Sequence, residues 1–363
     1  MVESKIHLMR PDIGNEEYDA VKAVLDSYYL TEGPVTQQFE KIVAEFVGAN
    51  HGIAMTSCTT ALHTVLQIIG IKGKKVIVPD YTYPATAEAV VLSGGIPVLV
   101  DVDLNSMNMT TEILENAYDE KMSVFIPVSW GGVPLERDIY KKAKGFGLLT
   151  LEDAACSLGA KIENDFVGNL ADFSCFSFHP RKVITTGEGG MITTNNDEIA
   201  EKCHSFKHFG AKDGKFSMIG TNYKLSNILS AIGIEQMKKI EKIITERIQK
   251  AKIYDELISK INGIKSAYSK SGTRQTYQSY TCYVEKENYR DKIRQELANH
   301  NIESQIGTYA LHLEPAYKDL NRVGELKNSE LLFENALTLP LHNQLNQEQQ
   351  ERVCKIIKET LEN

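Results

Sequence analysis

The segment SFHPRKVITTGEGGMITT (177–194) decides the class of fold, because its character changes twice over a short distance. An apolar strand ends at Phe178, a His-Pro pair breaks it, and a Gly-rich turn precedes a second apolar strand. Lys182 lies on the loop between the two predicted strands. A loop lysine is usually a solvated charge, so a functional interpretation needs further groups at the same place.

The sequence before this segment, from residue 15 to about 195, alternates between helical periodicity and short apolar runs. This pattern predicts an α/β fold, with βα units around a mostly parallel sheet covered by helices. Apolar stripes predict helices near 21–28, 39–46 and 61–69. Strands are predicted at 75–79, 96–102, 123–128, 148–153 and 173–178.

A chain of 363 residues has the length of about two domains. Apolar residues at helical spacing predict one long helix over 228–261 that leaves the first domain. A strand at 277–285 and helices at 289–300 and 348–361 predict a smaller α+β domain after it. We therefore expect a large domain over 1–245 and a small C-terminal domain over 246–363.

Composition excludes several classes of function. The chain has 40 basic and 48 acidic residues and a net charge of −8, so it has no general attraction for a nucleic acid polymer or an anionic membrane. No signal peptide or membrane-length apolar stretch is recognisable. The six cysteines lack CxxC spacing, which indicates reduced thiols rather than disulfides or a zinc site. We expect a cytoplasmic protein without a metal.

Three further segments place chemical groups at predicted strand ends. Asp153 ends the strand of LEDAACSLGA (151–160), although an aspartate there can also cap a helix. In TSCTTALHTVL (56–66) a strand leads through Ser and Thr into a helix, which suits a phosphate or a plain N-cap. Tyr83 follows the strand that ends at Pro79, although aromatic residues are most often core.

Together these segments predict a lysine amine, a carboxylate, a phosphate cradle and an aromatic ring at one edge of the sheet. Pyridoxal phosphate requires these four groups. Its aldehyde forms a Schiff base with a lysine, and its pyridine nitrogen stays protonated beside a carboxylate. Its phosphate needs an anion site, and an aromatic side chain can cover its ring.

The motifs in their order resemble the DegT/DnrJ/StrS-type sugar-nucleotide aminotransferases, which are fold type I pyridoxal-phosphate enzymes with an aspartate-aminotransferase-like fold. The resemblance runs nearly end to end and fades mainly at 262–290. It rests on RPDIG (10–14), LTEGP (30–34), SCTTALH (57–63), VIVPDYTYPAT (76–86), EDAACSLGA (152–160), CFSFHPRKVITTGEGG (175–190) and NYKLSN (222–227).

The resemblance implies a role for each matching residue. Lys182 would form the Schiff base with the cofactor and later act as base and acid. Asp153 would pair with the pyridine nitrogen and Tyr83 would stack on the ring. The implied phosphate ligands are Thr59, Thr60 and Ser177, with Lys224 reaching across from the neighbouring subunit.

Four residues carry less settled roles. Cys156 stands where relatives often have Gln, His or Glu to bind the cofactor hydroxyl, and a thiol is a weak hydrogen-bonding substitute. His179 suits packing or substrate contact, and Arg181 suits a nucleotide phosphate or a surface charge. His312 falls where relatives place a histidine near the substrate.

The resemblance implies transamination of a nucleotide-linked keto-deoxy sugar, of the 4-keto-6-deoxy type, with L-glutamate as amino donor. The pathway would be biosynthesis of a cell-surface polysaccharide or another glycosylated product, and the enzyme a homodimer with shared active sites. A dehydratase or lyase on the same cofactor is an alternative, although relatives of that kind carry His in place of the lysine. A non-catalytic regulatory protein of this fold would be expected to lack Lys182 or Asp153. The identity of the sugar and nucleotide, and C3 against C4 amination, stay open.

Overall fold

The computed structural model describes residues 4–266, 268 and 271–362. Within these residues, none of the helices has both the length and the apolar character that crossing a membrane requires. The helices are α1 (Asn15–Asp26), α2 (Pro34–Val47), α3 (Cys58–Ile69), α4 (Ala85–Leu92), α5 (Thr111–Ala117), α6 (Arg137–Gly145), α7 (Asp197–Lys207), α8 (Asn227–Ile258), α9 (Tyr289–Asn299), α10 (Lys327–Asn335) and α11 (Gln347–Glu362).

Many of the strands are short, and several have only two residues. They are β1 (His51–Met55), β2 (Lys75–Pro79), β3 (Tyr81–Thr82), β4 (Ile96–Val100), β5 (Met122–Phe125), β6 (Leu149–Asp153), β7 (Lys161–Ile162), β8 (Asp165–Phe166), β9 (Phe173–Ser177), β10 (Gly190–Thr194), β11 (Ala211–Lys212), β12 (Lys215–Phe216), β13 (Ile264–Lys265), β14 (Thr273–Arg274), β15 (Tyr280–Val284), β16 (Gln305–Ile306), β17 (Tyr309–Ala310), β18 (Asn321–Arg322) and β19 (Ala336–Leu339).

The main sheet has the strand order β1-β10-β9-β6-β5-β2-β4-β18. It is parallel from β9 to β18, whereas β10 runs antiparallel to both of its neighbours. This mostly parallel sheet with helices confirms the predicted α/β class. After β4 the chain returns to the other side of β2 to form β5, so the strand order reverses there. A crevice at the carboxyl ends of the strands is expected at such a reversal.

The apolar residues whose periodicity predicts the strands and helices are the ones that these elements bury. Val76, Ile77 and Val78 of β2 are fully buried, as expected for a strand covered on both faces. In α3 the buried positions Ala61, Leu62, Val65 and Leu66 form the predicted stripe. The stripe packs into one core with residues of the main sheet.

The long helix α8 begins at Asn227 and ends at Ile258, close to the predicted bounds of 228 and 261. After it comes a four-stranded sheet in the order β13-β15-β19-β16, with its own core. Ile6 from the N-terminal segment belongs to this second core, and β18 pairs with β4 of the main sheet. The chain therefore crosses between the two cores more than once, and the boundary at 245 stays a prediction.

Candidate active site

A cavity of about 560 Å³ opens at the carboxyl ends of the main-sheet strands. Its walls come from the end of β6, the loop after β9, the start of α3 and the segment before β15. The cavity is of ordinary size for a small-molecule site. The candidate residues that line it are Thr59, Tyr83, Asp153, Cys156, Ser177, His179, Arg181 and Lys182.

Lys182 lies on the loop that follows β9, and its backbone N–H donates to the carbonyl of His179 at 2.8 Å. Its Nζ donates a hydrogen bond to Cys156 Sγ at 3.3 Å. Burial lowers the pKa of Lys182, but the nearby Cys156 sulfur and Asp153 carboxylate outweigh burial and raise it. The amine is therefore held at the cavity, beside a sulfur acceptor.

Asp153 is the last residue of β6 and is 6% exposed. Thr86 Oγ1 donates to one of its carboxylate oxygens at 2.7 Å, and the backbone N–H of Ala155 donates to the other at 3.1 Å. Burial raises the pKa of Asp153, and these hydrogen bonds oppose the rise. A buried carboxylate of this kind gains stability from a cationic partner in the cavity, such as a protonated pyridine ring.

Glu152 precedes Asp153 on β6 and faces the other side of the sheet, as the alternation of side chains along a strand requires. It is fully buried and accepts hydrogen bonds from the hydroxyls of Ser129 and Ser174. Burial raises the pKa of Glu152 to about 7. It does not line the cavity, so its role is structural, as its place on the strand predicts.

The raised pKa of Glu152 predicts a dependence of stability on pH. Below its ordinary pKa of 4.5 the group is neutral in both states, and above about 7 the folded state must bury a charge. This pKa shift corresponds to about 3 kcal/mol in the free energy of unfolding, and the protein loses this stability as the pH rises from 4.5 through 7. Glu152→Gln should therefore be more stable than the wild type at pH 8.5 by up to this amount, with no difference near pH 4.5.

Chemical unfolding of both proteins across this pH range measures the effect. Glu120→Gln changes an exposed carboxylate and serves as the control. Parallel stability curves for the wild type and Glu152→Gln would show that Glu152 titrates normally.

The start of α3 forms the candidate phosphate cradle. Ser57 is its N-cap and accepts from the Thr60 N–H at 3.1 Å, while Thr60 Oγ1 accepts from the Ser57 N–H at 3.0 Å. This reciprocal capping engages the Thr60 hydroxyl, which does not line the cavity, whereas Ser57 and Thr59 do. The helix N-terminus still offers its partial positive charge to an anion.

Gly190 brings this cradle next to Ser177. In the sheet register, Gly190 of β10 lies opposite both Met55 of β1 and Ser177 of β9. A Cβ at Gly190 would lie 2.4 Å from the carbonyl carbon of Ser57, which is too close for any side chain. The glycine in the Gly-rich turn thus allows the α3 start and Ser177 to lie at one anion site.

Three more candidate residues lie at the mouth of the cavity. Tyr83 is 65% exposed, and its ring meets Tyr309 edge-on at 6.2 Å. His179 accepts from the backbone N–H of Arg181 at 3.2 Å, and burial lowers the pKa of its ring. His179 is therefore neutral near pH 7, which leaves Arg181 as the charged member of this pair.

The structure does not bring His312 or Lys224 to the cavity of their own chain. His312 is buried, with Nδ1 2.7 Å from Asp80 Oδ2 and Nε2 3.1 Å from Glu330 Oε1. It links these carboxylates behind the cavity wall, so substrate contact through His312 finds no support in this geometry. Lys224 lies over the ring of Phe209, with Nζ 5.1 Å from its centroid.

Several residues that line the cavity or support it are not predicted from the sequence motifs. Ser57 lines the cavity at the phosphate cradle but is not among the predicted phosphate ligands. Its place one residue before the helix could have identified it as an N-cap. Thr86 orients Asp153 through a hydrogen bond, and no local sequence pattern predicts this long-range contact. Gln278 and Ser279 line the cavity from a segment where the family resemblance fades.

The arrangement fits pyridoxal phosphate on the evidence of these contacts. Lys182 offers an amine, Asp153 a buried carboxylate, and the α3 start with Ser177 an anion site. All of them face one cavity, with Tyr83 at its mouth. Lys182 would hold the cofactor's aldehyde, Asp153 its ring nitrogen, and the α3 start with Ser177 its phosphate.

Comparison with known proteins agrees with this geometry. The family model of the DegT/DnrJ/EryC1/StrS aminotransferase family matches residues 11–358. GDP-perosamine synthase of Caulobacter vibrioides is 32% identical, covering 98% of both chains. A UDP-4-amino-4,6-dideoxy-N-acetyl-beta-L-altrosamine transaminase of Campylobacter jejuni is 29% identical over 96% of this chain and 95% of its own.

Solved structures show the same similarity in three dimensions. A putative sugar aminotransferase from Streptococcus pneumoniae, in its PLP form, has a TM-score of 0.92 at 26% identity and covers 99% of both chains. Its PMP form has a TM-score of 0.93. The family match over nearly the whole chain and the cavity described above lead to one conclusion. This chain belongs to the DegT/DnrJ/EryC1/StrS aminotransferase family, whose aminotransferases depend on pyridoxal phosphate.

Proposed function

We propose that this aminotransferase transfers the amino group of L-glutamate to a nucleotide-linked keto-deoxy sugar of the 4-keto-6-deoxy type. The product would be an amino sugar for a cell-surface polysaccharide or another glycosylated product. The observation that carries the proposal is the cavity that brings Lys182, Asp153 and the start of α3 together. Relatives that match over almost their full length are named for nucleotide-linked amino sugars, which supports this class of substrate.

Each side chain at the cavity would have a distinct role in this reaction. Bound pyridoxal phosphate supplies an aldehyde that condenses with amines and a ring that withdraws electrons. Lys182 Nζ would hold the aldehyde carbon and, once released, take the proton from the α-carbon of the amino donor. Asp153 would keep the ring nitrogen protonated. Ser57, Thr59 and Ser177 would hold the phosphate.

We also propose a homodimer with shared active sites in the cytoplasm. Lys224 lies outside its own cavity, as expected if it serves the neighbouring subunit. Tyr28 and Ile219 are both 92% exposed, and large apolar side chains this exposed are suited to burial against a second copy. The six cysteines are free thiols, which suits a reducing compartment.

The central experiment separates the two half-reactions. L-Glutamate alone should convert the absorbance of the loaded enzyme to that of pyridoxamine phosphate and release one 2-oxoglutarate per site. Subsequent addition of a nucleotide 4-keto-6-deoxy sugar should restore the original spectrum and give the amino sugar, identified by mass and NMR. The corresponding 4-hydroxy sugar is the matched control, because it has no carbonyl to accept the amine.

The panel of substrates should include UDP-, GDP- and TDP-linked 3-keto and 4-keto sugars. The position of the new amine in the product distinguishes C3 from C4 amination. A spectrum unchanged by every common amino donor would contradict the transaminase proposal, and a product that has lost a hydroxyl without gaining nitrogen would indicate a dehydratase.

A further inference from the structure

Cys156 occupies a distinct position among the cysteines. Its Sγ accepts the hydrogen bond from Lys182 Nζ at 3.3 Å, and both residues line the cavity. The hydroxyl of Thr276 donates to the Cys156 carbonyl at 3.1 Å and so fixes its backbone. Cys156 is partly exposed, whereas the other five cysteines are buried. The contact thus joins the candidate catalytic amine to a thiol that faces the cavity.

The contact matters because an amine must lose its proton before it can attack an aldehyde. A lysine ammonium has three donors and no acceptor. The pKa of Lys182 lies above its ordinary value, with Cys156 the largest of the influences that raise it against the effect of burial. The cationic form of Lys182 is therefore favoured before the cofactor attaches, and its proton needs an acceptor.

The other titratable and charged neighbours do not accept from this amine in the structure. Asp153 at the end of β6 accepts from Thr86 and Ala155. The Cys58 thiol at the start of α3 has its two acceptors at Asp153 Oδ1, 3.8 Å away, and Cys175 O, 3.4 Å away. His179 and Arg181 on the lysine's own loop bond to each other. Among the described residues, the sulfur of Cys156 is the acceptor within hydrogen-bond distance of Nζ.

We propose that Cys156 is the proton partner of Lys182, and the proposal rests on the proposed role of Lys182 as the cofactor's attachment point. In the enzyme without cofactor, Nζ and Sγ form an ammonium–thiolate pair. When Lys182 attaches, an N–H bond breaks and an S–H bond forms, so the proton stays within the pair and the total charge does not change. The neutral amine then condenses with the aldehyde, and water leaves.

Thiol labelling of the cofactor-free protein tests the pair directly. The rate of iodoacetamide reaction at Cys156 is followed by peptide mass spectrometry at pH 7, with the five buried cysteines as internal references. Because the thiolate is the reactive form and a neighbouring cation favours it, Lys182→Met should slow labelling about tenfold. Lys182→Arg keeps the cation and should label within about threefold of the wild type. Labelling of Lys182→Met at the wild-type rate would overturn the proposal.

Attachment of the cofactor gives a second readout. Borohydride reduction traps pyridoxal phosphate on Lys182, and the yield is measured against pH for the wild type, Cys156→Ala and Cys156→Ser. Loss of the thiolate should move the midpoint of the yield to lower pH by about one unit in both variants, since neither alanine nor serine carries a negative charge that would stabilise the ammonium form. A midpoint that is the same in the variants and the wild type would overturn the proposal that Cys156 is the proton partner of Lys182.

The two experiments also separate this proposal from the assignment of Lys182. Absence of the trapped adduct from Lys182 in the wild type would refute the role of the lysine itself. A wild-type adduct at Lys182 with unaltered labelling and midpoint in the variants would refute only the role of Cys156. Thermal unfolding of each variant shows whether the fold is retained.

Discussion

Lys182→Ala is expected to abolish transamination and the long-wavelength absorbance that the wild type acquires with pyridoxal phosphate. The variant loses the amine that would hold the aldehyde and the group that would move the proton. Loss of general acid–base catalysis alone costs about 10²- to 10⁴-fold in rate. The covalent attachment of the cofactor is lost as well, so the whole effect should reach at least about 10⁴-fold. The measurements are the spectrum of the reconstituted enzyme and the single-turnover rate with L-glutamate.

Lys182→Arg provides the matched control, because it keeps the charge and nearly the length of the side chain but cannot be deprotonated. It should fold and bind the phosphate of the cofactor, yet remain as inactive as Lys182→Ala. Retention of the wild-type spectrum in either variant would contradict the assignment of Lys182.

The inactive lysine variant also tests the shared site. In a mixture of Lys182→Ala with Lys224→Ala chains, a mixed dimer has one site in which both lysines are intact. Random exchange should then restore about a quarter of the wild-type activity. Two inactive variants that stay inactive after exchange would contradict the cross-subunit role of Lys224.

The parts of the site predicted from sequence follow from local rules. Asp153 ends β6 and Lys182 lies on the loop that follows β9, the parallel neighbour of β6. Because parallel strands end at a common edge, the convergence of these two residues could be expected. Glu152 could be assigned to the opposite face because side chains alternate along a strand. The periodicity of apolar residues placed the helices and strands that support these groups.

The remaining parts depend on contacts that local rules do not contain. From sequence, Thr59 and Thr60 are equivalent members of a helix start, and only the capping geometry engages one hydroxyl and leaves the other at the cavity. The burial of His312 depends on β17 pairing with β3, which brings it to Asp80 from far along the chain. Such long-range pairing of two-residue strands has no recognisable pattern in the sequence.

Asp153→Asn is the second substitution with a large expected effect. Asparagine keeps the shape of the side chain and can still accept from Thr86 or the Ala155 N–H, so the variant should fold. It cannot carry the negative charge that keeps a pyridine nitrogen protonated. Without that charge the ring would withdraw electrons less strongly when a proton leaves the amino donor. Electrostatic effects of this kind are large in a buried site, so we expect a loss of about 10³-fold in the rate with L-glutamate.

The matched control for Asp153→Asn is Thr86→Val, which removes one hydrogen bond to the carboxylate but leaves its charge. A weaker effect of about tenfold is expected, since one hydrogen bond to a charged group contributes about 1.5 kcal/mol or more. Both variants should still show the absorbance of cofactor attached to Lys182, because neither touches the amine. If Asp153→Asn reacted with L-glutamate within tenfold of the wild type, the ring nitrogen would not depend on this carboxylate, and the buried charge of Asp153 would be structural.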